Sequence, residues 1–297
     1  MENSLPRPGV VAAVTQPLCW VTTPYTGGRR PDGYHELESL VTFADVHDVV
    51  ELDAASTSHV SVSGPFASRI AGENLLDQAL TLLREAEPRL TLGLVRLDKH
   101  LPVAAGLGGG SADAAALLRA ARRANPTFAD TVPWREIAAR LGADVPVCLE
   151  QRPAVMWGIG EKTLPVGHLP PLHAVLANPG VPLSTADVFN ALQAGPVFET
   201  PQPSVPDLAS LGDAVQYMRA HGNDLELPAT ALVPIVAEVK AALAAEPGCR
   251  IAAMAGSGPT CFGIFVARAD AERAADALAC THSQWWVRSA CLDGTGT

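Results

Sequence analysis

The sequence predicts a two-domain α+β protein. Three observations carry that prediction. Strand-like and helix-like segments come in runs rather than in regular β–α–β alternation. A glycine cluster at 106–110 feeds an Ala/Leu-rich helical stretch, and a second glycine-rich turn interrupts the apolar segments between Ile251 and Val266. The 297 residues suffice for two cores. The character of the chain shifts near 150–154, where Pro153, Pro165, Pro170, Pro171, Pro179 and Pro182 begin to punctuate strand-like pieces. The expected domains are therefore 1–152 and 153–297.

The elements follow in order. Val41–Phe43, Val49–Leu52 and His59–Val62 are rich in β-formers and read as short strands. Asn74 to Glu87 reads as a helix, with Asn74 as N-cap and leucines 75, 76, 80, 82 and 83 largely on one face. Leu92–Leu97 is a further strand. Ser111–Ala124 and Trp134–Leu141 are helices, the second stopped at Gly142. Pro196–Pro206 reads as a loop. Helices are expected near Leu208–Ala220, Ala229–Ala245 and Ala269–Ala279, and a last strand at Gln284–Ser289, where Trp285 and Trp286 read as packing.

Bulk properties exclude several classes. The net charge of −10 gives no overall attraction for nucleic acid or anionic membranes, so bound phosphates must be met by local donors. No apolar run reaches the roughly 18–20 residues of a membrane span. Met1–Val14 lacks a basic segment followed by an apolar core, so no secretory signal is expected. Cys19, Cys148, Cys249, Cys261, Cys280 and Cys291 form no Cys-x-x-Cys pair, and they read as reduced, buried thiols of a cytoplasmic protein. Monomer and homodimer both remain open.

The most informative segment is Leu101-Pro102-Val103-Ala104-Ala105-Gly106-Leu107-Gly108-Gly109-Gly110-Ser111. Four glycines in five residues remove the β-carbons that would hold a ligand off the backbone. The helix start that follows offers unpaired N–H groups and the positive end of a macrodipole, together an anion cradle for a nucleotide's phosphates. Ser111 is placed to cap the helix, donate to a phosphate or contact a magnesium ion. No lysine follows Gly110, which excludes a Walker A loop, and a dinucleotide-binding fingerprint lacks its ribose-binding acid. A plain strand-to-helix turn is the structural alternative.

The pattern Pro-x-x-x-Gly-Leu-Gly-Gly-Gly-Ser-x-x-Ala-Ala resembles the nucleotide-binding motif of the GHMP kinases. Arg29-Arg30-Pro31-Asp32-Gly33-Tyr34-His35-Glu36-Leu37 is similar to the signature of the branch acting on a cytidine-diphosphate-linked methylerythritol. Leu141 to Pro146 resembles that branch's catalytic-aspartate segment, and Ala255 to Phe262 the third GHMP motif. Asn178-Pro179-Gly180 and Ser184 to Phe189 also fit, so the resemblance spans nearly the whole chain.

The resemblance implies a ribosomal S5-like N-terminal domain and a ferredoxin-like C-terminal domain. It implies transfer of the γ-phosphate of ATP, with Mg2+, to the 2-hydroxyl of 4-diphosphocytidyl-2-C-methyl-D-erythritol. Pro102, Ala104, Gly106, Leu107, Gly108, Gly109, Gly110 and Ser111 would then bind nucleotide, with Ser111 also reaching the metal. Asp144 would take or orient the hydroxyl proton, against the plain reading of a turn aspartate. Tyr34 and Phe189 would stack on the cytosine and His35 would bond its edge, although Phe189 equally reads as core. Thr185, Gly256 and Ser257 would lie near substrate. Asn223, in Gly222-Asn223-Asp224-Leu225, matches a family segment without receiving a role. The Tyr34-His35 pair argues against a homoserine-type substrate.

One departure stands out. The first motif normally reads Pro-Ala-Lys-x-Asn, its lysine polarising the reacting groups, but the register here gives Pro17-Leu18-Cys19-Trp20-Val21. Cysteine is short and mostly neutral near pH 7, with an ordinary pKa of about 8.5. Three accounts fit: a displaced cation, a catalytically impaired nucleotide-binding relative, or a shifted reading frame from about Thr15 to Gly27.

Overall fold

The computed structural model describes residues 10–15, 18–20, 28–54, 57–70, 72, 74–192, 194–195 and 201–292, with 10–20 as backbone alone. In chain order the strands are β1 (Val10–Thr15), β2 (Leu18–Trp20), β3 (Leu37–Phe43), β4 (Asp48–Asp53), β5 (His59–Ser63), β6 (Leu94–Asp98), β7 (Ala154–Gly158), β8 (Lys162–Pro165), β9 (Leu172–Asn178), β10 (Cys249–Met254), β11 (Cys261–Phe265) and β12 (Trp286–Leu292). The helices are α1 (Leu75–Ala86), α2 (Gly109–Ala124), α3 (Trp134–Leu141), α4 (Val145–Glu150), α5 (Thr185–Ala191), α6 (Leu211–His221), α7 (Glu226–Leu232), α8 (Ile235–Ala245) and α9 (Arg268–Thr281). Among the described residues no helix is long and apolar enough to cross a membrane.

Chain contacts group residues 1–16, 47–103 and 109–150 into one compact unit, and 17–46, 104–108 and 151–297 into a second. The chain passes from the first unit to the second after residue 150, and two earlier segments, 17–46 and 104–108, group with the later part of the chain.

The first unit holds a sheet in the order β1-β4-β6-β5, with β5 parallel to β6 and the other neighbours antiparallel. Alternation puts Asp48, Val50 and Leu52 of β4, and Val95 and Leu97 of β6, on the buried face. Helix α2 packs there, and its run of buried alanines lets the helix approach the sheet closely. As expected, Asn74 caps α1: its side-chain oxygen accepts from Leu76 N–H at 3.1 Å. Helix α2 starts at Gly109, two residues before the expected Ser111.

The second unit contains an antiparallel sheet in the order β2-β3-β7-β8 and another in the order β10-β11-β9-β12. Read from β9 onward, the latter is a β-α-β-β-α-β arrangement, the expected ferredoxin-like pattern. Helices α8 and α9 bury Val236, Val239, Leu243, Ala274 and Leu278 against Val175, Ala177 and Phe265. Helix α6 packs Ala214, Val215 and Met218 into a separate cluster with Leu40, Val155 and Leu176.

The single helix expected over Ala229–Ala245 is two helices. Pro234 restrains the residue before it, and Val233 leaves the helical region at φ −136° and ψ 85°, which ends α7. Helix α4 escaped sequence reading because of Pro146, yet proline is tolerated in a first turn, where no intrahelical N–H bond is lost. The cysteines whose side chains are described form no disulfide. Cys148 and Cys261 are buried, but Cys280 is exposed, because it falls on the outer face of the last turn of α9.

Candidate active site

In the first unit, β6 leads through Lys99, His100 and Leu101 toward the glycine cluster. Lys99 lies between two carboxylates, its Nζ 2.6 Å from Asp48 Oδ2 and 2.7 Å from Asp113 Oδ2, all three side chains buried. Asp48 Oδ1 also accepts the backbone N–H groups of His100 at 2.5 Å and Leu101 at 2.8 Å. This charge cluster fixes the strand exit against the second turn of α2. A β-carbon on Gly109 would come within 3.3 Å of Lys99 Nζ, so the glycine allows the ammonium to sit under the helix start. Burial works against the Lys99 ammonium, but Asp113 and Asp48 outweigh it and raise its pKa. Burial pushes the Asp113 carboxyl up to about 7, with Lys99 opposing and Asp48 adding to the rise. Sequence reading missed this cluster. Its signal was parity, since residues 48, 50 and 52, and then 95, 97 and 99, fall on one side of their strands.

Ser111 stands half-buried in the first turn of α2, with Gly110 exposed beside it. No cluster of three or more His, Cys, Asp or Glu able to hold a metal occurs among the described residues.

Asp144 follows the end of α3 in a tight turn, in which Val145 N–H donates to the Gly142 carbonyl at 3.2 Å and Cys148 N–H to the Asp144 carbonyl at 3.2 Å. Its side chain is not fully exposed, and burial pushes its carboxyl up to about 6. Nearby, Arg119 of α2 donates to the Cys148 carbonyl at 2.7 Å, and burial lowers the Arg119 pKa to about 10.

The second unit brings other predicted residues together. Arg30 N–H donates to the Tyr34 carbonyl at 2.7 Å and Gly33 N–H to the Arg30 carbonyl at 2.9 Å, closing a turn in which Gly33 has φ +91°. That turn leaves Tyr34 59 % exposed and sets His35 beside Phe189, ring centroids 5.0 Å apart. Burial, aided by the charge of Arg29, lowers the His35 pKa and so favours its neutral ring. Phe189 is one turn along α5 from Thr185, whose hydroxyl lies 2.8 Å from that of Ser257.

Ser257 belongs to a turn closed by Gly258 N–H to the Ala255 carbonyl, 2.9 Å, and Ala255 N–H to the Thr260 carbonyl, 2.8 Å. Ala105 of the first glycine-rich segment accepts from Thr260 N–H at 3.3 Å. Gly106, at φ +71°, packs so closely that a β-carbon would lie 2.5 Å from the Gly258 carbonyl oxygen. Pro102 and Leu107 are buried, Gly106 and Gly108 half-buried, and Ala104 exposed. Cys19 is described by its backbone alone, paired with Thr42, and Val21 lies outside the described residues.

Residues 74–152 match the GHMP kinases N terminal domain and residues 202–284 the GHMP kinases C terminal. The 4-diphosphocytidyl-2-C-methyl-D-erythritol kinase of Rhodopseudomonas palustris is 47 % identical over 275 residues, covering 89 % of this chain and 92 % of the relative. The enzyme of that name from Cereibacter sphaeroides is 46 % identical, covering 92 % and 96 %. A crystal structure of 4-(cytidine 5'-diphospho)-2C-methyl-D-erythritol kinase superposes with a TM-score of 0.75 at 31 % identity, covering 95 % of this chain and 99 % of that one. A homoserine kinase from Cytophaga hutchinsonii shares the fold, with a TM-score of 0.69 at 17 % identity over 100 % of this chain and 98 % of its own.

Proposed function

The chain belongs to the GHMP kinases, and from that membership we propose that it phosphorylates the 2-hydroxyl of 4-diphosphocytidyl-2-C-methyl-D-erythritol, in the cytoplasm, on the non-mevalonate route to isoprenoid precursors. One observation carries the choice of substrate: the His35 ring against Phe189, with the Thr185–Ser257 hydroxyl pair one helical turn away. Aromatic faces suit a flat base, a neutral imidazole offers a donor and an acceptor to its edge, and paired hydroxyls suit the polar remainder of the molecule. The exposed Tyr34 would offer the base a second aromatic face.

ATP, when bound, supplies the γ-phosphoryl group and leaves as ADP. The first-turn N–H groups of α2, from Gly109 to Ser111, are the donors for its phosphates, and Gly106 and Gly108 give the approach the freedom that side chains would deny. Magnesium usually keeps several waters and binds through one or two protein groups, commonly carboxylates, plus substrate phosphates, and the Ser111 hydroxyl would be one such ligand. Asp144 accepts the proton released by the 2-hydroxyl. A carboxyl pushed up to about 6 is still mostly ionised at neutral pH and is a better base than an ordinary aspartate.

A coupled assay of ADP release tests the reading. The folded protein should release ADP only when both ATP and the cytidine-linked alcohol are present, and Asp144→Asn should slow that release by roughly 10²-fold or more. Clean folded protein without substrate-dependent release overturns it.

A further inference from the structure

We propose that Asn223 is a positioning residue for the phosphoryl transfer, acting through the turn that carries Gly256 and Ser257. Its carboxamide nitrogen donates to two carbonyl oxygens, Met254 at 3.0 Å and Gly256 at 2.8 Å, so both amide hydrogens are committed to that turn. Its amide oxygen accepts from Leu225 N–H at 3.0 Å, and its carbonyl from Glu226 N–H at 3.1 Å, anchoring the residue where α7 begins. One side chain thus ties the end of α6 and the start of α7 to the end of β10.

The turn it holds is conformationally demanding. Gly256 sits at φ +53° and Gly258 at φ +77°, and a β-carbon on Gly258 would lie 2.6 Å from Met254 Sδ. Glycines that are free to adopt such angles are equally free to leave them. Fixing the carbonyls of 254 and 256 restricts the 254–255 and 256–257 peptide groups, on either side of the Ala255-Gly256 pair, and the second of these sets where Ser257 starts. Ser257 Oγ then meets Thr185 Oγ1 at 2.8 Å, on the helix that also carries Phe189. A carboxamide is the side chain that supplies two donors and one acceptor in one plane. Aspartate has the same shape but no donors, and it would turn a carboxylate toward two carbonyl oxygens.

This role rests on the proposed reading that Ser257 and Thr185 face the acceptor substrate. The experiment compares Asn223→Asp and Asn223→Ala with the parent protein in kcat, in KM for each substrate, in the pH profile, and in amide exchange across 254–260. Two lost hydrogen bonds predict a kcat lower by roughly ten-fold or more, with KM for ATP within about two-fold of the parent. Exchange at 256–258 should quicken in both variants. Facing two carbonyl oxygens would raise the new carboxyl above its ordinary value of about 3.9, so the Asn223→Asp deficit should shrink as pH falls toward the acid end of the profile, because a protonated carboxyl regains one donor. Asn223→Ala has nothing to protonate, and its deficit should stay constant. If Asn223→Asp does not fold, Asn223→Ala decides by kcat and exchange. Parental kcat and parental exchange in a folded variant overturn the role of Asn223 alone. A parent protein that never turns over the cytidine-linked alcohol overturns the functional reading, and this role with it.

Discussion

Replacing Lys99 with methionine should unsettle the first unit more than an average core substitution. The change keeps a long apolar stem and removes only the ammonium between Asp48 and Asp113. Removing one partner of a buried ion pair typically costs about 3–5 kcal/mol, because the charge left behind has lost its compensation. Two features place this site near the low end, about 3 kcal/mol. Asp48 keeps the N–H groups of His100 and Leu101, and Asp113 is already pushed up to about 7, so it can take a proton instead of remaining charged. The pH dependence follows from that proton. The folded carboxyl of Asp113 lies above its ordinary value of 3.8, so the folded state holds a proton that the unfolded chain releases between about 4 and 7. Stability from this group is therefore full at low pH and falls as pH rises through that window. Losing Lys99 raises the folded value further and extends the loss to higher pH. Urea unfolding of Lys99→Met and parent at about pH 6 and about pH 8 measures both effects, with a deficit expected to be larger at the higher pH. A deficit below about 1 kcal/mol, or one equal at both pH values, would refute the account of Lys99 as the countercharge of two buried carboxylates.

Asp144→Asn should reduce kcat by roughly 10²–10⁴-fold, and parental activity should rise with pH through an apparent pKa near 6, a limb absent from the variant's residual rate. Phe189→Ala should raise KM for the cytidine-linked substrate by roughly 5–100-fold through lost stacking, with KM for ATP unchanged in the same steady-state assay. Gly106→Ala should lower the melting temperature, since alanine at φ +71° costs roughly 1–2 kcal/mol before its β-carbon meets the Gly258 carbonyl; an unchanged Tm would count against that close approach. Cys19→Lys combined with Val21→Asn should raise kcat by roughly 10²-fold or more if the first motif lacks its cation, and an unchanged kcat would mean that the charge is supplied elsewhere.

Residues whose signal is local were legible in the sequence. The glycine cluster before α2, the Asn74 cap and the turn bearing Tyr34 and His35 all follow from short-range backbone chemistry, and the structure forms a helix start, a cap and a turn there. What escaped was built from distant residues. Asp48, Lys99 and Asp113 come from two strands and a helix, and only the register of β4 against β6 brings the first two together. Asn223 matched a known segment but had no role until β10 delivered the carbonyls of 254 and 256 to its amide. Helices α7 and α8 were fused because their apolar pattern continues across the break, while Pro234 marks it by sterics alone.

The departure at Cys19 gains a sharper form from the fold. Leu18, Cys19 and Trp20 pair in regular antiparallel register with Phe43, Thr42 and Val41, so the backbone frame of the first motif persists although its residue types differ. The change is therefore one of side-chain chemistry on a strand. Phosphoryl transfer needs charge stabilisation more than covalent help, and it can draw on helix-start N–H groups and on a metal held with the phosphates. On the proposed reading both resources would come from α2 and Ser111, on a part of the chain where the expected motif is complete. Relatives 44–47 % identical carry the kinase's name, which favours a working enzyme over an impaired one. On the proposed reading the charge stabilisation that a lysine would have shared falls to the N–H groups of the helix start.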